Sequence, residues 1–208
     1  INMCDELKAV YDGAVNTVRM IVFKKDGKNP QIGNAYVRFG SKKTGAVDNV
    51  GAGGMTATID VATGHFHDAK IVMNNSIEDC PIHPDTGVPI DGYLPHWEQV
   101  KQQVLDVTKS IKQLEFFGVD LAVTNDGIKF PEINRFPDYP AVEKYTKPTR
   151  EYLLYKLAGF LSAMVGPPEL CRLIDGLGGA FGLVLGMTGA CALLLLVSLL
   201  SFAGAVVP

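Results

Sequence analysis

The sequence is poor in cysteine, and none of its cysteines is spaced for chemistry. Four occur in 208 residues, at Cys4, Cys80, Cys171 and Cys191. No two form a CxxC pair or a zinc-ligand spacing. That excludes a disulfide framework or zinc module on pattern and leaves free thiols, as in a reducing compartment. An excess of basic residues is also missing. The net charge is −3, which argues against a broad cationic surface for nucleic acid. The first residues carry Asp5, Glu6 and Lys8 where a signal peptide has its apolar core. EF-hand spacing is absent too, which argues against a calcium-binding surface domain. The glycine-rich stretch 41–54, SKKTGAVDNVGAGG, does not end in Gly-Lys-Ser/Thr. It is therefore not a Walker A loop, and no GxGxxG follows a strand. The last absence divides the chain: charged residues are frequent up to Arg150-Glu151, and none follows Asp175.

What is present reads as an α+β domain followed by an apolar tail. Residues 1–15 suggest a short helix with Leu7, Val10 and Tyr11 on one face. Thr17–Lys24 and Ala35–Phe39 are β-rich runs around the turn Asp26-Gly27-Lys28-Asn29-Pro30, an antiparallel hairpin. Stretch 41–54 is a loop, in which glycines permit close backbone approach and positive φ. Met55–Asp60 and His65–Met73 form a second hairpin, with His65 and His67 on one side. Two histidines without a third ligand do not define a zinc site. Asn74–Leu94 reads as one long loop containing the turn His83-Pro84-Asp85-Thr86-Gly87. Pro95–Glu115 is the clearest helix. Trp97, Val100, Val104, Val107, Ile111 and Leu114 form one apolar stripe for packing on the sheet, Pro95 suits the start, and Gly118 lies past the end.

The stretch Phe117–Pro137, FGVDLAVTNDGIKFPEINRFP, organises the rest. Asn125-Asp126-Gly127 between apolar runs is a strong hairpin signal. Closing that turn brings Asp120 near Glu132 and Asn134. Two carboxylates and an amide oxygen make a hard site suited to Mg²⁺, which would bridge nucleotide phosphates.

These residues, with Asn16-Thr17-Val18-Arg19, Val47-Asp48-Asn49, Gly53-Gly54 and His83-Pro84-Asp85-Thr86-Gly87, resemble the sugar-transfer-associated, glutamate-ligase-related ATP-grasp family. The resemblance runs from about Asn16 to Pro140. It implies the second lobe of an ATP-grasp domain, an antiparallel sheet with packed helices. It further implies ATP and Mg²⁺ as cofactors, and activation of a small-molecule carboxylate as an acyl phosphate that an amine or related acceptor attacks. Asp120, Glu132 and Asn134 would ligate the metal. Arg19 and Arg38 would face the phosphates. Asn49 would position phosphate or acceptor, and Asp48, Gly53 and Gly54 would line the nucleotide. The family tends towards Pro-Gly after the asparagine, whereas Phe136-Pro137-Asp138 stands here. The chain begins at Ile1, and only fifteen residues precede Asn16. That is too few for the lobe that reads adenine, so weak or no ATP turnover is expected from this chain alone.

A linker is expected over 156–175. Residues 176–208 are uncharged and apolar, longer than the roughly 20 residues of a membrane span. Gly178, Gly182 and Gly186 suit a helix–helix contact. Lys144, Lys147, Arg150, Lys156 and Arg172 precede the run and no charge follows it, which places residues 1–155 on the cytoplasmic face. The tail is similar to the terminal membrane region of a stage III sporulation membrane protein. Two alternatives to an enzyme therefore stand, a non-catalytic membrane-anchored remnant and a chimera.

Overall fold

The computed structural model describes residues 2–73, 76–135, 137 and 146–165. The chain divides into two compact units, Ile1–Asp138 and Tyr139–Pro208.

The first unit is one antiparallel sheet. Its strands are β1 (Thr17–Phe23), β2 (Gln31–Phe39), β3 (Met55–Ile59), β4 (His65–Met73), β5 (Ser76–Asp79), β6 (Gly92–Tyr93), β7 (Phe116–Thr124) and β8 (Gly127–Asn134). The order is β5-β4-β3-β2-β1-β7-β8, with β6 beside β4. The expected hairpins thus form as three consecutive antiparallel pairs, β1–β2, β3–β4 and β7–β8. They join into a continuous sheet because β1 pairs with β7 and β2 with β3.

Register separates the two faces. Val18 lies between Val37 and Leu121, and Met20 between Ala35 and Val119. With Phe39, Met55, Ala57, Ile59 and Phe66 they form the apolar face. Helix α1 (Asp5–Val10) lends it Leu7 and Val10, and helix α2 (Trp97–Lys109) lends it Trp97, Val100 and Val104. The other face carries one polar row across six strands, His67–Thr58–Tyr36–Arg19–Asp120–Glu132, each residue paired with the next. Alternation along β1 predicts one buried face, yet every residue of β1 is buried. The strand is central in the sheet, and its polar side chains satisfy one another instead of water.

Three local expectations are corrected. The stretch 74–94 is not a single loop, since it contributes strands β5 and β6. The helix expected over 95–115 spans only Trp97–Lys109. Its apolar period continues through Ile111 and Leu114, which pack on the core from a turn. The Ile111 carbonyl accepts a hydrogen bond from the buried Lys24 ammonium instead of extending the helix. Gly118 does not end that helix. It lies inside β7, between Ile21 and Asn134, where a Cβ would come 2.7 Å from the Pro137 Cβ.

In the second unit, helix α3 spans Lys147–Val165. Its first turn contains Pro148, which is tolerated there because an N–H in the first turn has no partner within the helix. The Thr149 N–H points to the Thr146 hydroxyl at 3.5 Å. Among the described residues no helix is long and apolar enough to cross a membrane. The expected span, 176–208, lies outside the described residues.

Candidate metal and anion site

The β7–β8 turn closes at Gly127, whose φ of 135° favours glycine. Near the turn Thr124 pairs with Gly127, Val123 with Ile128 and Ala122 with Lys129; a one-residue register shift between Ala122 and Asp120 then sets Asp120 directly opposite Glu132 and Gly118 opposite Asn134. Asp120, Glu132 and Asn134 therefore share one face. Gly118 presents no side chain there, which lets Pro137 and the Arg19 side chain pack over the strand at that point.

Asp120 is buried at 4 % exposure and Glu132 is exposed. Asp120 is also already partnered. Arg19 donates from Nε to Oδ1 at 2.5 Å and from Nη2 to Oδ2 at 2.7 Å. Arg38 adds a third bond, Nη2 to Oδ2 at 2.8 Å. Two parallel N–H···O⁻ bonds are the strongest geometry a guanidinium offers a carboxylate. Burial pushes the Asp120 carboxyl up, but the Arg19 and Arg38 guanidinium groups outweigh it and hold the group below the ordinary carboxylate range. Its hydrogen bonds to Asp120 in turn raise Arg19 above its usual range, against burial. Burial raises the Tyr36 phenol, next to Arg19 in the row.

Arg38 has further acceptors. Its Nε and Nη2 donate to the Thr17 hydroxyl at 3.1 and 2.6 Å, and Nε lies 3.5 Å from Asp48. Thr17 donates to Asp48 through its hydroxyl and, at 2.8 Å, its backbone N–H. The result is one chain of charges, Asp48–Thr17/Arg38–Asp120–Arg19, linking the glycine-rich loop to the carboxylate hairpin.

The remaining loop residues serve its shape. Asn49 is exposed and accepts from Gly51 N at 3.0 Å through Oδ1, capping a short 3-10 helix, Val50–Ala52. Gly53 closes that turn at φ 104°. Gly54 lets the Asn49 and Phe39 carbonyls approach, since a Cβ there would lie 2.9 Å from each. Asn49, Gly53 and Gly54 do not enter the charge chain.

The sequence pattern did not single out Thr17, Asn16 or His83 for the jobs they do. Thr17 shares a face with Arg19 by period two, which is the one signal that marks it. Asn16 is fully buried, donates to the Tyr11 carbonyl at 2.6 Å and accepts from Gly40 N at 3.1 Å. His83 is also fully buried and stacks on Tyr11 with ring centroids 4.6 Å apart. Its Nδ1 accepts from Asp85 N at 3.2 Å and its Nε2 donates to the Gly40 carbonyl at 2.9 Å, which sets the tautomer. Asp85 accepts from Lys42 N at 2.7 Å. The His-Pro-Asp-Thr-Gly turn thus pins the start of the glycine-rich loop.

Among the described residues no group of three or more His, Cys, Asp or Glu is placed to hold a metal ion. The candidate set has two carboxylates, its third oxygen coming from an amide. That donor set fits Mg²⁺, which takes few protein ligands and keeps waters and phosphates. His65 and His67 stack on one side of β4, with centroids 4.9 Å apart, and His65 also stacks on Tyr93. Among the described residues they gain no third metal ligand.

The family model described as sugar-transfer associated ATP-grasp matches residues 1–141. The chain belongs to this family. No curated protein and no solved structure matches the chain. ATP-grasp proteins bind ATP and Mg²⁺, and the antiparallel sheet with its few helices is consistent with an ATP-grasp lobe.

Proposed function

We propose that this ATP-grasp chain carries the metal and phosphate end of a ligase site. Asp120, Glu132 and Asn134 hold Mg²⁺, while Arg38 and Arg19 face the phosphates of ATP. The supporting observation is the register of β1, β7 and β8. It sets two carboxylates opposite one another and brings a guanidinium fork onto the buried one. Mg²⁺ would neutralise phosphate charge during acyl-phosphate formation. The chain's own residues then orient the phosphates by charge-assisted hydrogen bonds and hold the arginines charged. Asp48 and Thr17 position Arg38, and the loop shaped by Asn49, Gly53 and Gly54 borders the acceptor, a small-molecule carboxylate or amine. The apolar run 176–208 anchors this unit at the cytoplasmic face of a membrane. In fractionation, the chain should stay with membranes through carbonate washing and be released by detergent.

Calorimetry of the 208-residue chain with Mg²⁺ and a non-hydrolysable ATP analogue tests the site. Binding should need Mg²⁺ and disappear in Glu132→Ala. Binding that ignores both would overturn the assignment.

A further inference from the structure

The cation site holds a cation of its own making. Asp120 must offer an oxygen to any metal shared with Glu132, yet Arg19 and Arg38 already bond both of its oxygens. The two arginines are not equivalent. Arg19 is bidentate on Asp120, and its side chain is 8 % exposed. Arg38 makes one bond to Asp120, its side chain is 18 % exposed, and it already reaches Thr17 and Asp48 on its other side. Leaving Asp120 would cost Arg38 one hydrogen bond of several.

Counting charges gives the sign of the effect. Arg19 and Arg38 balance Asp48 and Asp120, so Glu132 alone leaves the cluster at −1. A divalent ion entering by itself turns that into an excess of positive charge in a half-buried place, where screening is weak. A polyphosphate arriving with the ion removes the excess, and it offers Arg38 a better acceptor than a shared carboxylate oxygen.

We propose that Arg38 is an internal counter-ion. It occupies Asp120 while the site is empty and passes to the phosphate anion when metal and anion enter together. Metal and anion then bind as a coupled pair, the coupling running through one side chain. The inference rests on the site assignment above, but it makes a separate claim: the empty site disfavours bare metal because of Arg38.

The test measures two affinities in the full chain and its variants. Mn²⁺ alone is followed by the electron paramagnetic resonance of the free ion, and the Mg²⁺ complex of a non-hydrolysable ATP analogue by calorimetry. Arg38→Gln should tighten Mn²⁺ by about tenfold, because a competing charge is gone. The same variant should weaken the nucleotide complex by about tenfold or more, because a charged hydrogen bond is lost. A purely structural role would move both affinities in the same direction, and that result overturns the proposal. Arg38→Lys keeps the charge and should bring Mn²⁺ back towards the unsubstituted value. If Arg38→Gln melts early, Arg38→Lys still decides the matter: Mn²⁺ bound about tenfold tighter there than in the unsubstituted chain would refute the counter-ion. Glu132→Gln separates the two claims. Unchanged Mn²⁺ binding there sinks the site assignment itself, whereas lost binding there with no opposed response at Arg38 sinks only the counter-ion.

Discussion

Arg19 and Asp120 face each other across the β1–β7 ladder and are joined by two parallel hydrogen bonds of 2.5 and 2.7 Å. The pair is almost wholly buried. Removing one partner from such a pair strands the other charge, so Asp120→Asn should cost roughly 3–5 kcal/mol in urea unfolding at neutral pH.

The same pair sets a pH dependence. Asp120 is held below the ordinary carboxylate range in the folded chain. Its stabilisation is therefore complete above the unfolded value of about 3.9 and is lost as pH falls through the lower folded value. The stability gap between the unsubstituted chain and Asp120→Asn should narrow as pH drops below about 4. A constant gap from pH 7 to pH 2.5 would contradict the assigned pairing.

Gly118 has no room for a side chain. Its Cβ would lie 2.7 Å from the Pro137 Cβ and 3.5 Å from the Arg19 Cδ. Gly118→Val should destabilise by about 1–3 kcal/mol through overpacking. It should also lower Mg²⁺-dependent nucleotide affinity, by shifting Arg19. Thermal melting and calorimetry on one sample check both.

Asn16 ties three segments together, bonding the Leu7 and Tyr11 carbonyls and the Gly40 amide. Asn16→Leu leaves buried backbone groups without partners and should cost on the order of 2–4 kcal/mol in urea unfolding. Proteolysis should then cut first near 40–45, the loop whose entry Asn16 holds.

Cys4 is fully buried, and burial pushes its thiol up to about 11. A thiol reagent at pH 8 should therefore leave Cys4 unlabelled in the folded chain and modify it only in denaturant. Peptide mass mapping distinguishes Cys4 from Cys80. Rapid labelling of Cys4 without denaturant would mean that α1 does not stay docked.

Much of the sheet was legible because its hairpins are local. Asn125-Asp126-Gly127 fixes β7 against β8 as far as Ala122 and Lys129, and a one-residue register shift just beyond then sets Asp120 across from Glu132. What could not be read was non-local. Nothing near Thr17 announces that β1 lies between β2 and β7, so the burial of Arg19 and its pairing with a residue 101 positions away were hidden. Strands β5 and β6 were missed because they are short and interrupted by turns, and their pairing is set by β4. Helix α2 was overextended for a related reason. Ile111 and Leu114 keep the helical period while serving a turn, and the competitor for the Ile111 carbonyl is Lys24, far away in sequence. The asparagine and glycines of the loop carried the family pattern, yet their visible work is turn geometry.

The polar row from His67 to Glu132 draws one residue from each of six strands. A one-residue slip in β1, β2, β3, β7 or β8 would turn its contribution to the opposite face and put an apolar side chain in its place. Ligand affinity is then also an audit of strand pairing: a misthreaded chain can be compact and rich in β-structure and still fail to bind.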